Sequence, residues 1–144
     1  MKKTVFIFFS VLLLCSCESK YEKGINDLKS QLWVLTSITD YSDKNITKEI
    51  DITKKTISKY TDNLIYVYNY KGELQNIYNY KTEYQNGKII IIIENSFSYK
   101  QEKYTVIVNK SILNFIGGEN SLQQTVYYPL RDQKILNKIS EIKK

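Results

Sequence analysis

Leu64 to Glu94 reads LIYVYNYKGELQNIYNYKTEYQNGKIIIIIE, and this stretch decides the fold. Leu64–Tyr70 is dense in β-branched and aromatic residues, which suit a pleated, half-buried strand. Lys71-Gly72-Glu73 interrupts it, and Gly72 can take the positive φ that a tight turn needs. Leu74–Tyr84 then resumes the strand pattern. Asn86-Gly87 is the strongest hairpin signal in the chain, because both residue types tolerate positive φ. Five consecutive isoleucines follow, Ile89 to Ile93. A strand apolar throughout is buried on both faces, or lies in a barrel wall covered from outside. Lys88 and Glu94 bracket the run with charge, which limits aggregation of so apolar a strand.

The same pattern extends outward in both directions. Upstream, Leu32–Thr39 (LWVLTSIT) predicts a strand with Trp33 and Leu35 on one face. Lys48–Thr53 alternates charge with Ile50 and Ile52 and predicts a half-exposed strand, Thr56–Tyr60 another, and Thr61-Asp62-Asn63 a turn. Downstream, Phe97–Lys100 predicts a short strand, Gln101-Glu102 a turn, Tyr104–Val108 and Ser111–Ile116 two more strands. Leu122–Leu130 carries the last strand, and Pro129 ends it because proline cannot donate to a ladder. Asp132 then stands as an N-cap, and Ile135, Leu136, Ile139 and Ile142 recur at helical spacing. The reading is an all-β chain: an antiparallel meander or barrel of about eight strands with a short C-terminal helix, Asp132–Lys144. Closure would also remove exposed edges, which so isoleucine-rich a sheet needs. At the other end, Glu18–Leu28 is polar and reads as a tether leading into a turn of helix, with Asp27 near the helix start.

Composition removes several chemistries. The 144 residues include no histidine, which excludes His-ligated metal sites and His-based triads. No Ca²⁺ loop, phosphate loop or dinucleotide motif occurs. No nucleophile pairs with a base, so the chain is read as no enzyme, with no metal and no cofactor. The net charge of +6 falls by two if Lys2 and Lys3 are removed with a signal peptide. The remaining basic residues are scattered, and Arg131 is the only arginine. A nucleic-acid site would gather them into a patch, so no nucleic-acid partner is expected.

Met1–Cys17 reads MKKTVFIFFSVLLLCSC. Lys2 and Lys3 form a positive end, Val5–Leu14 is apolar except for Ser10, and small residues follow. That is the build of a secretory signal peptide, and the run is too short to cross a bilayer as a helix. Leu14-Cys15-Ser16-Cys17 resembles the lipobox of bacterial lipoproteins: aliphatic, tolerant, small, cysteine. The resemblance implies cleavage between Ser16 and Cys17 and lipidation of Cys17, with palmitate among the acyl chains. Cys15 fits less well, since bulky Leu14 would occupy the cleavage position. Glu18 stands where an aspartate would imply retention at the inner membrane, so the resemblance implies a lipid anchor in the outer membrane. The expected organisation is a signal peptide over 1–16, a lipidated tether over 17–28, a barrel over 29–131 and a helix over 132–144. Both cysteines belong to the signal region, leaving the mature domain without a disulfide.

Leu32-Trp33-Val34-Leu35, Tyr66–Glu73, Asn86-Gly87-Lys88-Ile89, Tyr104-Thr105-Val106 and Leu113-Asn114-Phe115 together resemble the small lipocalin-like domains of bacterial lipoproteins. The resemblance implies a non-enzymatic domain that holds a small apolar or amphipathic ligand. The alternatives are an interaction or inhibitor module for another envelope protein, or an accessory glycan-binding lipoprotein. Tyr66, Tyr68 and Tyr104 are the candidate ligand contacts, because tyrosine joins a broad apolar face to a polar tip. Lipocalins set an arginine over the first-strand tryptophan, so the resemblance implies a closing contact between Arg131 and Trp33. The alternative is that Arg131 starts a surface turn before the helix.

Overall fold

A computed structural model describes residues 19–41, 46–51, 54–94, 101–117 and 123–141. Helix α1 spans Lys20–Lys29. The strands are β1 Leu32–Asp40, β2 Ile46–Glu49, β3 Thr56–Tyr60, β4 Leu64–Asn69, β5 Leu74–Gln85, β6 Lys88–Glu94, β7 Gln101–Asn109, β8 Ile112–Ile116 and β9 Gln123–Pro129. Helix α2 spans Gln133–Glu141.

All the pairings are antiparallel, and sequence order is almost spatial order. From β3 to β9 each strand pairs with the next, and β9 returns to β1. This is a closed eight-stranded barrel with one extra strand, the meander expected from the sequence. Closure runs along nearly all of β1, from Trp33 opposite Pro129 to Asp40 opposite Gln123, with a register shift between Leu35 and Ser37. The other edge of β1 is shared. Leu32–Val34 pair with β3, and Ser37–Asp40 pair with β2. The extra strand β2 therefore pairs with β1 alone, beyond the stretch of β1 that pairs with β3.

The turns follow the residues that make them. Asn86 and Gly87 take φ of 50° and 76°, the pair of positive values that a two-residue hairpin demands. At the β4–β5 turn Gly72 takes φ 76°, and Asn69 Oδ1 accepts from the amides of Lys71 (2.9 Å) and Glu73 (3.0 Å). Asp132 caps α2, its Oδ1 accepting from the Lys134 amide at 2.9 Å.

Three expectations change. Gln101 and Glu102 are not a turn; they open β7, opposite Glu94 and Ile93. The strand expected at Lys48–Thr53 starts earlier, at Ile46, and ends at Glu49, with Thr47, Lys48 and Glu49 exposed rather than half-exposed; Ile52 and Thr53 lie outside the described residues. The expected tether is helix from Lys20 onward, capped by Ser19. Asp27 sits near the end of this helix. The signal was present in Ser19-Lys20-Tyr21-Glu22: the Glu22 amide donates to Ser19 Oγ (3.1 Å), and the Ser19 amide donates to Glu22 Oε2 (2.9 Å). Such a capping box satisfies two amides that the helix itself cannot. Ser16, Cys17 and the strand expected at Phe97–Lys100 lie outside the described residues.

Strand alternation sorts the apolar residues into two clusters. The interior holds Trp33, Tyr60, Ile65, Tyr80, Ile89, Ile91, Val106, Leu113 and Phe115, closed at one end by Ile25 and Leu28 of α1. Gly24 lets that helix come close: a Cβ there would run into the Ile89 side chain and lie 3.5 Å from Val108. The Trp33 indole Nε1 donates to the Leu28 carbonyl at 2.9 Å, and Lys29 pairs with Asp62 at 2.8 Å across the rim. The second cluster lies outside the barrel wall, where α2 sets Ile135 and Ile139 over Ile57, Tyr68, Leu32 and Val34.

Candidate functional site

Beyond the plug formed by α1 the barrel keeps a partly enclosed chamber of about 170 Å³. Neighbouring strands aim alternate residues into it. Val67 comes from β4, Tyr78 from β5, Ile93 from β6, Tyr104 from β7, Phe115 from β8, and Tyr127 from β9. The walls are mostly apolar, with hydroxyls from Ser58, Thr125 and the tyrosines.

Phe115 is the hub of the aromatic lining. Its ring lies 5.5 Å from Tyr104, edge to face, 5.6 Å from Tyr127 and 6.4 Å from Tyr60. Tyr60 meets Tyr80 edge to face at 5.7 Å. Offset and edge-on contacts of this kind contribute about 0.5–1.5 kcal/mol each beyond burial. Hydrogen bonds fix two of the rings. The Tyr80 hydroxyl donates to the Thr61 carbonyl, and the Tyr104 hydroxyl donates to the Glu102 carboxylate.

The phenols of Tyr60, Tyr104 and Tyr127 are held protonated. Burial holds Tyr60 well above the ordinary tyrosine range, with the Tyr127 and Tyr80 phenols adding to it. Burial alone pushes Tyr127 up to about 12. Burial raises Tyr104 too, and its bond to Glu102 adds to the shift. At neutral pH the chamber therefore presents neutral hydroxyl groups and aromatic faces. Among the described residues no three Cys, Asp or Glu side chains gather in a group that could hold a metal ion.

The tyrosines selected from sequence divide. Tyr104 lines the chamber. Tyr66 and Tyr68 do not: they point outward and pack in the cluster beneath α2. The reason is parity. On β4 it is Ile65 and Val67 that face inward, so the residues between them face out. The lining residues missed from sequence, Tyr60, Phe115 and Tyr127, carry no local mark that separates them from other strand aromatics.

The contact expected between Arg131 and Trp33 is replaced by another arrangement. Trp33 is fully buried and belongs to the interior cluster. Arg131 is exposed, two residues past the Pro129 that pairs with Trp33. Among the described residues the cation lying over an aromatic ring is Lys71, 5.7 Å from the centre of Tyr70. Backbone pairing closes the barrel, and the indole finds its partner in α1.

Comparison with known protein families, curated proteins and solved structures finds no match to this chain.

Proposed function

We propose that this chain is a lipid-anchored, non-enzymatic lipocalin-like lipoprotein whose barrel takes one compact amphipathic ligand of about a single ring. The observation that carries this reading is the chamber of about 170 Å³ with aromatic walls and neutral hydroxyls. Pockets for drug-sized molecules run to about 300–1,000 Å³, so a long acyl chain is a poor fit. An apolar cavity of about 150 Å³ accepts benzene in another protein, and the space here is of that order. Tyr60, Tyr78, Tyr104 and Tyr127 would stack on the ring, while Ser58 and Thr125 offer hydrogen bonds to a polar substituent.

The anchor rests on the lipobox at Leu14–Cys17. Cys17 would carry the lipid after cleavage at Ser16, and the outer membrane is the proposed location, because Glu18 replaces the inner-membrane aspartate. Loss of palmitate-analogue labelling in Cys17→Ala cells supports this; equal labelling of wild type and variant refutes it.

For the ligand, the purified protein is titrated with benzyl alcohol and with palmitate, following side-chain NMR signals of the chamber residues. Saturable shifts at Tyr78, Tyr104 and Ile93 are expected with benzyl alcohol and not with palmitate. Ser58→Phe, which fills the chamber, abolishes them. Absence of saturable shifts with any one-ring alcohol overturns the reading in favour of an interaction module using the outer surface.

A further inference from the structure

We infer that the groove between α1 and the outer face of β7 and β8 is a docking surface for the anionic phospholipid bilayer to which the chain is anchored. This rests on lipidation of Cys17 and adds to it an orientation of the domain. The chain leaves little slack. Cys17 precedes the helix cap Ser19 by two residues, and a fully extended chain covers at most about 3.6 Å per residue. The lipid would therefore be held within about 7 Å of the first turn of α1. That helix is locked to the barrel by Ile25, Leu28 and the Lys29–Asp62 pair. An anchor at its start brings one particular side of the domain to the bilayer.

That side has the chemistry of a membrane-facing surface. Lys20 and Lys23 of α1 and Lys88 of the β5–β6 hairpin line the groove, and all three are exposed. Beside them lie Tyr84, Ile107 and Ile116, which are 47%, 52% and 40% exposed. Large apolar side chains rimmed by lysines suit the boundary between headgroups and acyl chains. Each lysine near an anionic surface raises the affinity about fivefold. Acidic groups are fewer here. Asp27 lines the groove but is buried, and the Glu22 carboxylate is engaged at the helix cap. The groove itself has a volume of about 480 Å³.

The test uses mature lipidated protein in nanodiscs, after mass spectrometry of its N-terminal peptide. Once the signal is removed, Cys17 is the only native cysteine and its sulfur carries the lipid, so single cysteines placed at Ile107, Ile116 or Leu74 report alone. Leu74 is 43% exposed at the opposite rim and serves as control. A membrane-impermeant maleimide is expected to label Ile107→Cys and Ile116→Cys about tenfold more slowly on anionic nanodiscs than in detergent, because the interface excludes aqueous reagents. Leu74→Cys should react alike in both. Salt at 1 M, or combined Lys20→Glu, Lys23→Glu and Lys88→Glu, should restore fast labelling, since the Debye length shrinks to about 3 Å. Equal labelling in nanodiscs and detergent, with Cys17 lipidated by mass, overturns the docking surface and leaves the anchor standing. Protection that persists in detergent and grows with protein concentration overturns it in favour of a second copy. A mass without lipid overturns the anchor, and the orientation falls with it.

Discussion

The inner and outer faces of the same strands have different fates. On β6, Ile91 faces the barrel interior and is completely buried among residues from several strands. On α2, Ile139 is 3% exposed but packs against one patch of the outer wall, chiefly Ile57 and Tyr68. The inner cluster is enclosed by hydrogen-bonded strands and cannot relax without distorting the barrel. The outer cluster is one helix laid on a finished wall. Burial of a residue in an apolar strand therefore does not show on which side of the wall it packs. Tyr66 and Tyr68 belong to the outer cluster, Tyr60 and Tyr80 to the inner one.

The comparison can be broken by matched substitutions. Ile91→Ala should lower unfolding free energy by about 3–5 kcal/mol, because the cavity left behind cannot collapse. Ile139→Ala removes the same atoms, and should cost about 2 kcal/mol, because α2 can settle onto the gap. Chemical denaturation of both variants checks this, and equal losses would mean that the outer cluster is as rigid as the interior.

Alkaline titration sharpens the same contrast. Tyr127 is raised to about 12 by burial, whereas an unfolded tyrosine ionises near 10. A group with a raised folded value contributes its stability fully below the unfolded value and loses it as pH climbs through the folded one. Between pH about 10 and 12 the unfolded chain has released a proton that the barrel retains, so stability falls by up to about 1.4 kcal/mol per pH unit for this group. Thermal melting of Tyr127→Phe across that window should show a shallower decline than wild type. An unchanged slope would place the Tyr127 hydroxyl in contact with water. The smallest effect is expected at Arg131. An exposed side chain away from special features changes stability by no more than about 0.5 kcal/mol, so Arg131→Ala should keep both the melting point and the Trp33 emission maximum. A red-shifted emission would restore the contact between the two residues.

Much of this architecture was legible in short stretches. Asn86-Gly87 and Gly72 fixed two hairpins because few other residues take positive φ there. The isoleucine run marked a wall strand, Asp132 with Ile135 and Ile139 marked α2, and Pro129 marked the end of β9. These are local signals, in which a residue's own conformational cost decides its structure. Helix α1 was equally local in its capping box, although the polar composition of the segment suggested a tether. The rest required the closed barrel. Whether Tyr66 or Val67 faces inward depends on which side of β4 the other seven strands enclose, and both faces of that strand are apolar enough to serve. The size of the chamber depends on how Phe115, Tyr104 and Tyr127, brought from three strands, fill the interior. The partner of Trp33 depends on a helix that crosses the barrel end. Parity, cavity volume and long-range partners are properties of the assembled sheet, because each is set by residues far apart in sequence that closure alone brings together.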